Sequence, residues 1–356
     1  MALIRPTVSR RRRRAGPPIV AVTGAATGLG LALLERLAGR TDLAALVGVD
    51  LSGPPVQQPA SVEWRSPEQP GWCAAVDVVV HLAMSYDVAQ ESTQRHQLNT
   101  RGTALVLQAA RLAGAERAVV VTSSDVYGAH PAGPVPLPDN AELRAGLDTG
   151  LVGDLVEVEW LAEQSHRAGL PVTVLRPAPL VAGALGPAYD GALLRQLAGS
   201  RLLALRGVEP LWQVCHGEDL LTALELAVTG AVRGVVPVAS DGWLRQSEVE
   251  ALTSKRRWEL PAAVALSTAA RLQRLGLTAS SPHELDRLLA PIVVDTAVLR
   301  AAGWVADWTN ERAIEAYLDG ASARDSRSAA YTAAGATVAL LGTAALMRRA
   351  KRQRRR

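Results

Sequence analysis

Thr23-Gly24-Ala25-Ala26-Thr27-Gly28-Leu29-Gly30 follows the apolar, β-branched run Ile19 to Thr23 and opens an amphipathic stretch from Gly28 to Ala38. A strand, a glycine turn and a helix in that order bring backbone amides to a helix N-terminus, where the peptide dipoles favour negative charge. Glycines there permit a tight turn and let the backbone approach a pyrophosphate closely. The next apolar run ends in Asp50, 22 residues beyond Gly28, where a carboxylate accepts hydrogen bonds from an adenosine ribose. That carboxylate would repel a 2′-phosphate, and no Arg follows within several residues. The pattern therefore implies a dinucleotide site that takes NAD in preference to NADP.

Outward from this turn, short β-branched runs alternate with helical stretches, the signature of a parallel sheet covered by helices. The expected strands are Ile19 to Thr23, Ala45 to Val49, Val76 to Val80, Ala118 to Thr122 and Val172 to Leu175. The expected helices lie near Gly28 to Ala38, Ser92 to Ala113 and Leu155 to Ala168. The fold class is α/β: a Rossmann-type doubly wound parallel sheet, a smaller mixed C-terminal lobe and a C-terminal hydrophobic helix. The corresponding division is a basic arm without fixed structure over 1–18, a nucleotide-binding domain over 19–183, a second lobe over 184–320, and an Ala-rich helix with a basic tail over 321–356.

The chain has 356 residues and is 48% hydrophobic, which gives enough apolar material for a large core. Its two cysteines, Cys73 and Cys215, lie in apolar runs and exclude both a disulfide framework and a Cys-based metal site. The net charge of +4 conceals a segregation. Residues 1–14 carry six Arg and 348–356 carry seven basic groups, which leaves 25 basic against 34 acidic residues in the body. An acidic body with basic tails disfavours nucleic acid as a partner, because a nucleic-acid footprint should lie on the fold itself. The Arg-rich opening resembles an export signal, but the apolar stretch behind it carries the phosphate-loop pattern, so it reads as an arm. Ala329 to Met347 are 19 uncharged residues, long enough to span a bilayer, although eight are Ala and five are Gly or Thr. A docked helix and a weak anchor at an anionic membrane surface are equally compatible with that composition. The expected location is cytoplasmic, in contact with the inner face of the cell membrane.

Five further stretches occur in a fixed order: Asp77-Val78-Val79-Val80-His81-Leu82-Ala83; Asn99 with Gly102-Thr103; Ser123-Ser124-Asp125-Val126-Tyr127-Gly128; Leu175-Arg176-Pro177 with Gly183; and His216-Gly217-Glu218-Asp219. Val294-Asp295 to Gly303-Trp304 closes the series. With the glycine turn, these resemble the extended short-chain dehydrogenase/reductase superfamily, in its NAD-dependent epimerase/dehydratase branch, from about Ile19 to Tyr317. The glycine spacing departs from that branch, with Thr27 where it usually has Gly. The resemblance implies that NAD is held by Gly24, Thr27, Gly28, Leu29, Gly30, Asp50, Leu82, Ala83, Asn99 and Pro177. It implies a sugar-nucleotide-like small molecule as substrate and a second copy of the chain as partner. It aligns Ser123 with the hydroxyl that holds the substrate oxygen, and Asp125 with an acid that the dehydratases use. His81 reads equally as a satisfied core residue, and His216 and Asp219 as structure joining the lobes. Trp64-Arg65-Ser66 lacks the acid that usually follows the third strand and touches adenine, which implies weaker cofactor affinity.

That family's chemistry needs a Tyr as general acid/base and, four residues later, a Lys that lowers its pKa and binds the nicotinamide ribose. The five tyrosines here are followed four residues on by Gln90, Pro131, Leu193, Ala321 and Gly335, so Tyr-x-x-x-Lys is absent in every register. Aligning on Glu157-Val158-Glu159, which resembles the family's acidic helix, places Leu151 and Leu155 at the two positions. A leucine neither donates a proton nor binds a ribose hydroxyl. Two function classes fit: a cofactor-binding sensor, scaffold or partner subunit without the standard chemistry, and an oxidoreductase or epimerase that recruits another acid/base, with Asp125, Tyr127 and Asp154 as candidates.

Overall fold

A computed structural model describes residues 16–26, 28–88, 90–146, 150–185, 191–274 and 286–325. Its centre is a seven-stranded, all-parallel sheet. The strands are β1 (Ile19–Thr23), β2 (Ala45–Val49), β3 (Val62–Arg65), β4 (Val78–His81), β5 (Arg117–Val121), β6 (Val172–Pro177) and β7 (Val235–Val238), in the spatial order β7-β6-β5-β4-β1-β2-β3. The order reverses between β4 and β1, and at such a switch point a crevice opens beyond the C-terminal strand ends.

The strands are apolar on both faces because both are covered. Val20, Val22, Val78, Val80, Val119 and Val121 pack under α1 (Gly28–Leu37) on one side. Ala21, Val79, Ala118, Val120, Val172 and Val174 pack on the other, under α2 (Gly102–Ala113) and α3 (Leu151–Arg167). Leu33, Leu34 and Leu37 form the buried stripe of α1, and that helix also meets α4 (Gly217–Thr229), where Arg36 pairs with Glu218 and Glu225 at 2.8 Å each. A separate apolar cluster that includes Leu193, Leu197, Leu202, Trp212, Val249 and Ile314 forms the core of the second lobe. The last described helix, α5, is Asn310–Asp325.

Three differences from the sequence reading have physical causes. Strands β3 and β7 lie at the two sheet edges, where alternation is weak: β3 is half-exposed, and β7 contains Pro237, which an edge strand tolerates. The chain therefore returns to the main sheet after residue 183, and the two regions interleave. The stretch Ser92 to Ala113 is helical throughout but passes through a π-bulge at Gln97–Arg101, which turns Asn99 and Thr100 inward. Helix α3 starts at Leu151 rather than Leu155, because burial of Leu151 and Val152 overrides the weak helix propensity of Val152 and Gly153. Residues 1–15 of the basic arm and 326–356 of the expected Ala-rich helix and basic tail lie outside the described residues, and 321–325 continue α5. Among the described residues no helix is long and apolar enough to cross a membrane.

Candidate cofactor crevice and acid/base corner

The glycine turn sits at the end of β1, with Gly24 at φ 69° and Gly28 at φ 56°. A Cβ on Gly24 would lie 2.8 Å from the backbone of Leu82 and Ala83, and one on Gly30 only 2.1 Å from the Gly24 carbonyl oxygen. These glycines let the turn fold under the segment after β4 and let α1 start directly behind it. A Cβ on Gly28 would meet the Leu185 carbonyl oxygen at 2.5 Å, so the Gly183–Leu185 turn closes over the start of α1. Leu29 packs against the core beneath. Thr27 lies outside the described residues.

Asp50 is half-buried at the end of β2. Its Oδ2 accepts the Ala26 amide at 3.1 Å, and its Oδ1 accepts the Ser52 amide at 3.0 Å and the Ser52 hydroxyl at 2.6 Å. Burial raises the carboxyl, but the hydrogen bonds from Ser52, Ala26 and Leu51 outweigh it and hold the pKa below the ordinary value. Of a carboxylate's roughly four lone-pair directions, the Ala26 amide and the Ser52 amide and hydroxyl take three, which leaves at most one, on Oδ2, for a ribose hydroxyl. The ionised acid, the glycine turn and the helix N-terminus fit the adenosine and pyrophosphate of a dinucleotide.

Beneath this site, His81 bridges two threonines in the interior. Thr103 donates its one hydroxyl proton to the Asn99 carbonyl, so it accepts from His81 Nε2–H at 3.0 Å. Nδ1 is then the bare nitrogen and accepts from Thr23 Oγ1 at 2.7 Å. Burial pushes this imidazole down to about 4, which matches the neutral tautomer the hydrogen bonds require. Asn99 spends both amide atoms on the Ser85 backbone: Oδ1 accepts from N at 2.8 Å and Nδ2 donates to O at 2.9 Å. It positions the segment Leu82 to Ser85 beside the glycine turn. Pro177 closes β6 next to Val238.

Helix α3 is keyed to the sheet by Glu159, which accepts from Thr122 Oγ1 and from Arg176 Nε, each at 2.8 Å. On a helix, residues four and eight positions earlier share that face, so Leu155 and Leu151 point toward the strand ends. They are almost wholly buried and form a cluster with Val126, Ala145 and Val152. Met84, Tyr86 and Val88 from the segment after β4 pack against it, and the Tyr86 hydroxyl donates to the Val121 carbonyl at 2.9 Å. Burial raises the Tyr86 pKa further from neutrality. The residues of this cluster are apolar apart from the Tyr86 hydroxyl.

The neighbouring polar groups already have partners. Ser123 is buried, and its Oγ accepts the Asp125 amide at 3.1 Å, capping the short helical turn Ser124–Tyr127. Asp125 pairs with Arg287, whose other nitrogens reach Ser124 Oγ and the Ile292 carbonyl. Asp154 is buried and holds Arg95 Nε and His96 Nδ1, each at 2.9 Å. Tyr127 donates to the Asp139 carbonyl at 2.9 Å and lies beneath the Arg176 guanidinium. His216 stacks on Trp308 at 3.6 Å between centroids, and Asp219 accepts the amides of Asp307 and Trp308, which ties α4 to the segment before α5. Among the described residues no group of His, Cys, Asp and Glu is placed to hold a metal ion. Sequence reading missed Tyr86, Arg95 and Arg287. The latter two signal nothing locally, because each meets its carboxylate across 59 and 162 residues respectively.

The model of the family described as "NAD dependent epimerase/dehydratase family" matches residues 20–238. An uncharacterized protein of Mycobacterium tuberculosis is 28% identical over 326 residues, which cover 85% of this chain and 84% of that protein. Among solved structures, MoeE5 in complex with UDP-glucuronic acid and NAD is similar at a TM-score of 0.58 and 20% identity, over 85% of this chain and 99% of that one. The UDP-glucose 4-epimerase of Thermotoga maritima with UDP-glucose is similar at 0.61 and 16% identity, over 86% and 99%. These two likenesses are likenesses of fold. The family match spans the glycine turn, Asp50, the segment after β4 and all of the sheet through β7, and the chain belongs to the NAD-dependent epimerase/dehydratase family.

Proposed function

We propose that the protein binds NAD through Gly24, Gly28, Gly30 and Asp50 and lacks the family's standard hydride-transfer chemistry, serving as a nucleotide-dependent sensor, scaffold or partner subunit. NAD supplies a hydride acceptor when bound. What this chain lacks is the proton relay beside it. The observation that carries the reading is the apolar corner around Leu151 and Leu155, at the place where the resemblance puts the Tyr and Lys. Loss of a general acid/base typically forfeits a factor of ~10² to 10⁴ in rate. The substitutes that the sequence suggested are engaged elsewhere: Asp125 by Arg287, Asp154 by Arg95 and His96, and Tyr127 by the Asp139 carbonyl. A sugar nucleotide of the kind bound by MoeE5 and the Thermotoga enzyme is the proposed second ligand.

Isothermal titration of the full chain should show NAD binding, and absorbance at the reduced-nicotinamide band should stay flat when UDP-glucose or UDP-glucuronic acid is added. Activity gained only in the double variant Leu151→Tyr/Leu155→Lys would identify a vestigial site. Robust turnover by the unmodified chain, abolished by Asp125→Asn or Asp154→Asn, would overturn the reading. The seven basic groups at 348–356, each worth ~1 kcal/mol near an anionic surface, are the proposed contact with the inner face of the membrane. Sedimentation with anionic vesicles at low salt should lose the protein when it is truncated after Ser328.

A further inference from the structure

The crevice has two halves, and among the described residues the β1–β2 half carries its charged and anion-binding chemistry. Asp50 at the end of β2 fixes the adenosine side, and the N-terminus of α1 fixes the pyrophosphate. A dinucleotide laid across the switch point must then extend its second riboside over the ends of β4 and β5. The route there runs past Leu82 and Ala83, which lie against Gly24, to Met84 and Tyr86 and then to Leu151 and Leu155.

Among the described residues, most side-chain polar atoms along that route have partners within the protein, and the Ser123 hydroxyl keeps its proton to donate. The Tyr86 hydroxyl donates to Val121, the Ser123 oxygen accepts from the Asp125 amide, Ser124 receives Arg287, and the Asn99 amide is taken by Ser85. The second riboside brings two ribose hydroxyls and a carboxamide. Leu151 and Leu155 are closed over within the core and offer these groups no hydrogen-bond partner, and each polar group buried unpaired is unfavourable. The Asp50 side has the opposite character, with a carboxylate held ionised at the crevice.

We infer that the protein recognises the ADP portion of its ligand and is indifferent to the nicotinamide riboside and its redox state, so that NAD⁺, NADH and free ADP-ribose are equivalent ligands. This rests on the reading that the glycine turn and Asp50 bind NAD, and it adds what that site distinguishes. A site of this kind does not distinguish the oxidised from the reduced cofactor. It also accounts for a family member that keeps the nucleotide loop while its acid/base corner is filled with core.

The experiment is a titration of the full chain with NAD⁺, NADH and ADP-ribose, together with saturation-transfer NMR on bound NAD⁺. The three dissociation constants should agree within about threefold, since the differing portion makes no charged hydrogen bond. Transfer should be strong to the adenine protons and weak to the nicotinamide protons. Preference for NAD⁺ or NADH over ADP-ribose by about tenfold or more, or strong transfer to the nicotinamide ring, overturns the inference and leaves the cofactor reading standing. Failure of all three to bind, or binding unchanged in a folded Asp50→Ala variant, removes the cofactor reading as well.

Discussion

On the β1–β2 side of the crevice, a half-buried Asp50 is held ionised by hydroxyl and amide donors, and the glycine turn brings a helix N-terminus close by. On the β4–β5 side, Leu151 and Leu155 sit in a closed apolar cluster, and the Tyr86 hydroxyl donates to a backbone carbonyl. Both regions are at the ends of neighbouring parallel strands, so the fold alone does not separate them. Side-chain chemistry does. A nucleotide fold can keep its anion site while its reaction corner becomes core, because the two depend on different elements: β1, β2 and α1 for the first, and α3 with the segment after β4 for the second.

The largest effect should come from the anchor of the apolar corner. Glu159→Ala leaves Arg176 buried without its carboxylate and Thr122 with only the Leu175 carbonyl at 3.4 Å. Breaking a buried pair in this way costs about 4 kcal/mol. Chemical denaturation should show that loss, and a cost near that of a surface pair would mean that α3 is not keyed through Glu159.

Leu151→Ala comes next, at about 3 kcal/mol for a truncated, fully buried leucine, because Leu151 is 1% exposed. A loss under about 1 kcal/mol would show that the corner admits water, and it would erase the contrast between the two halves.

His81 tests the floor of the polar half by pH. Its pKa is about 4 in the folded protein against 6.5 for an ordinary imidazole. Above pH 6.5 neither state carries the proton, and the full stability is present. As pH falls from 6.5 to 4 the unfolded chain takes up a proton that the folded one refuses, and stability declines by roughly 3 kcal/mol in total. Urea midpoints measured across that window should fall for the natural chain and flatten in a folded His81→Gln variant. An equal slope in both would place the titration elsewhere.

The smallest effect is expected at Ser123→Ala, which removes a side-chain cap worth ~1 kcal/mol from the turn Ser124–Tyr127. A modest drop in melting temperature is the expected readout. A loss of nucleotide affinity with stability unchanged would instead move Ser123 into the ligand-holding half.

Much of the fold and of the nucleotide half was legible in the sequence because it is written locally. Strands β1, β2, β4, β5 and β6 are short apolar runs, and the turn between β1 and α1 needs glycines where a Cβ would strike backbone. Asp50 follows at a distance set by one strand-helix-strand unit. The absence of Tyr-x-x-x-Lys is likewise a fact of the chain alone. Only the tertiary structure decided what stands in its place. It brought Tyr86 onto Val121, Arg287 onto Asp125 and Arg95 onto Asp154, and it added β3 and β7 at the sheet edges. Backbone periodicity acts between neighbours and leaves its pattern in any window of the sequence. A buried ion pair or a closed apolar corner acts between groups far apart in the chain and leaves none.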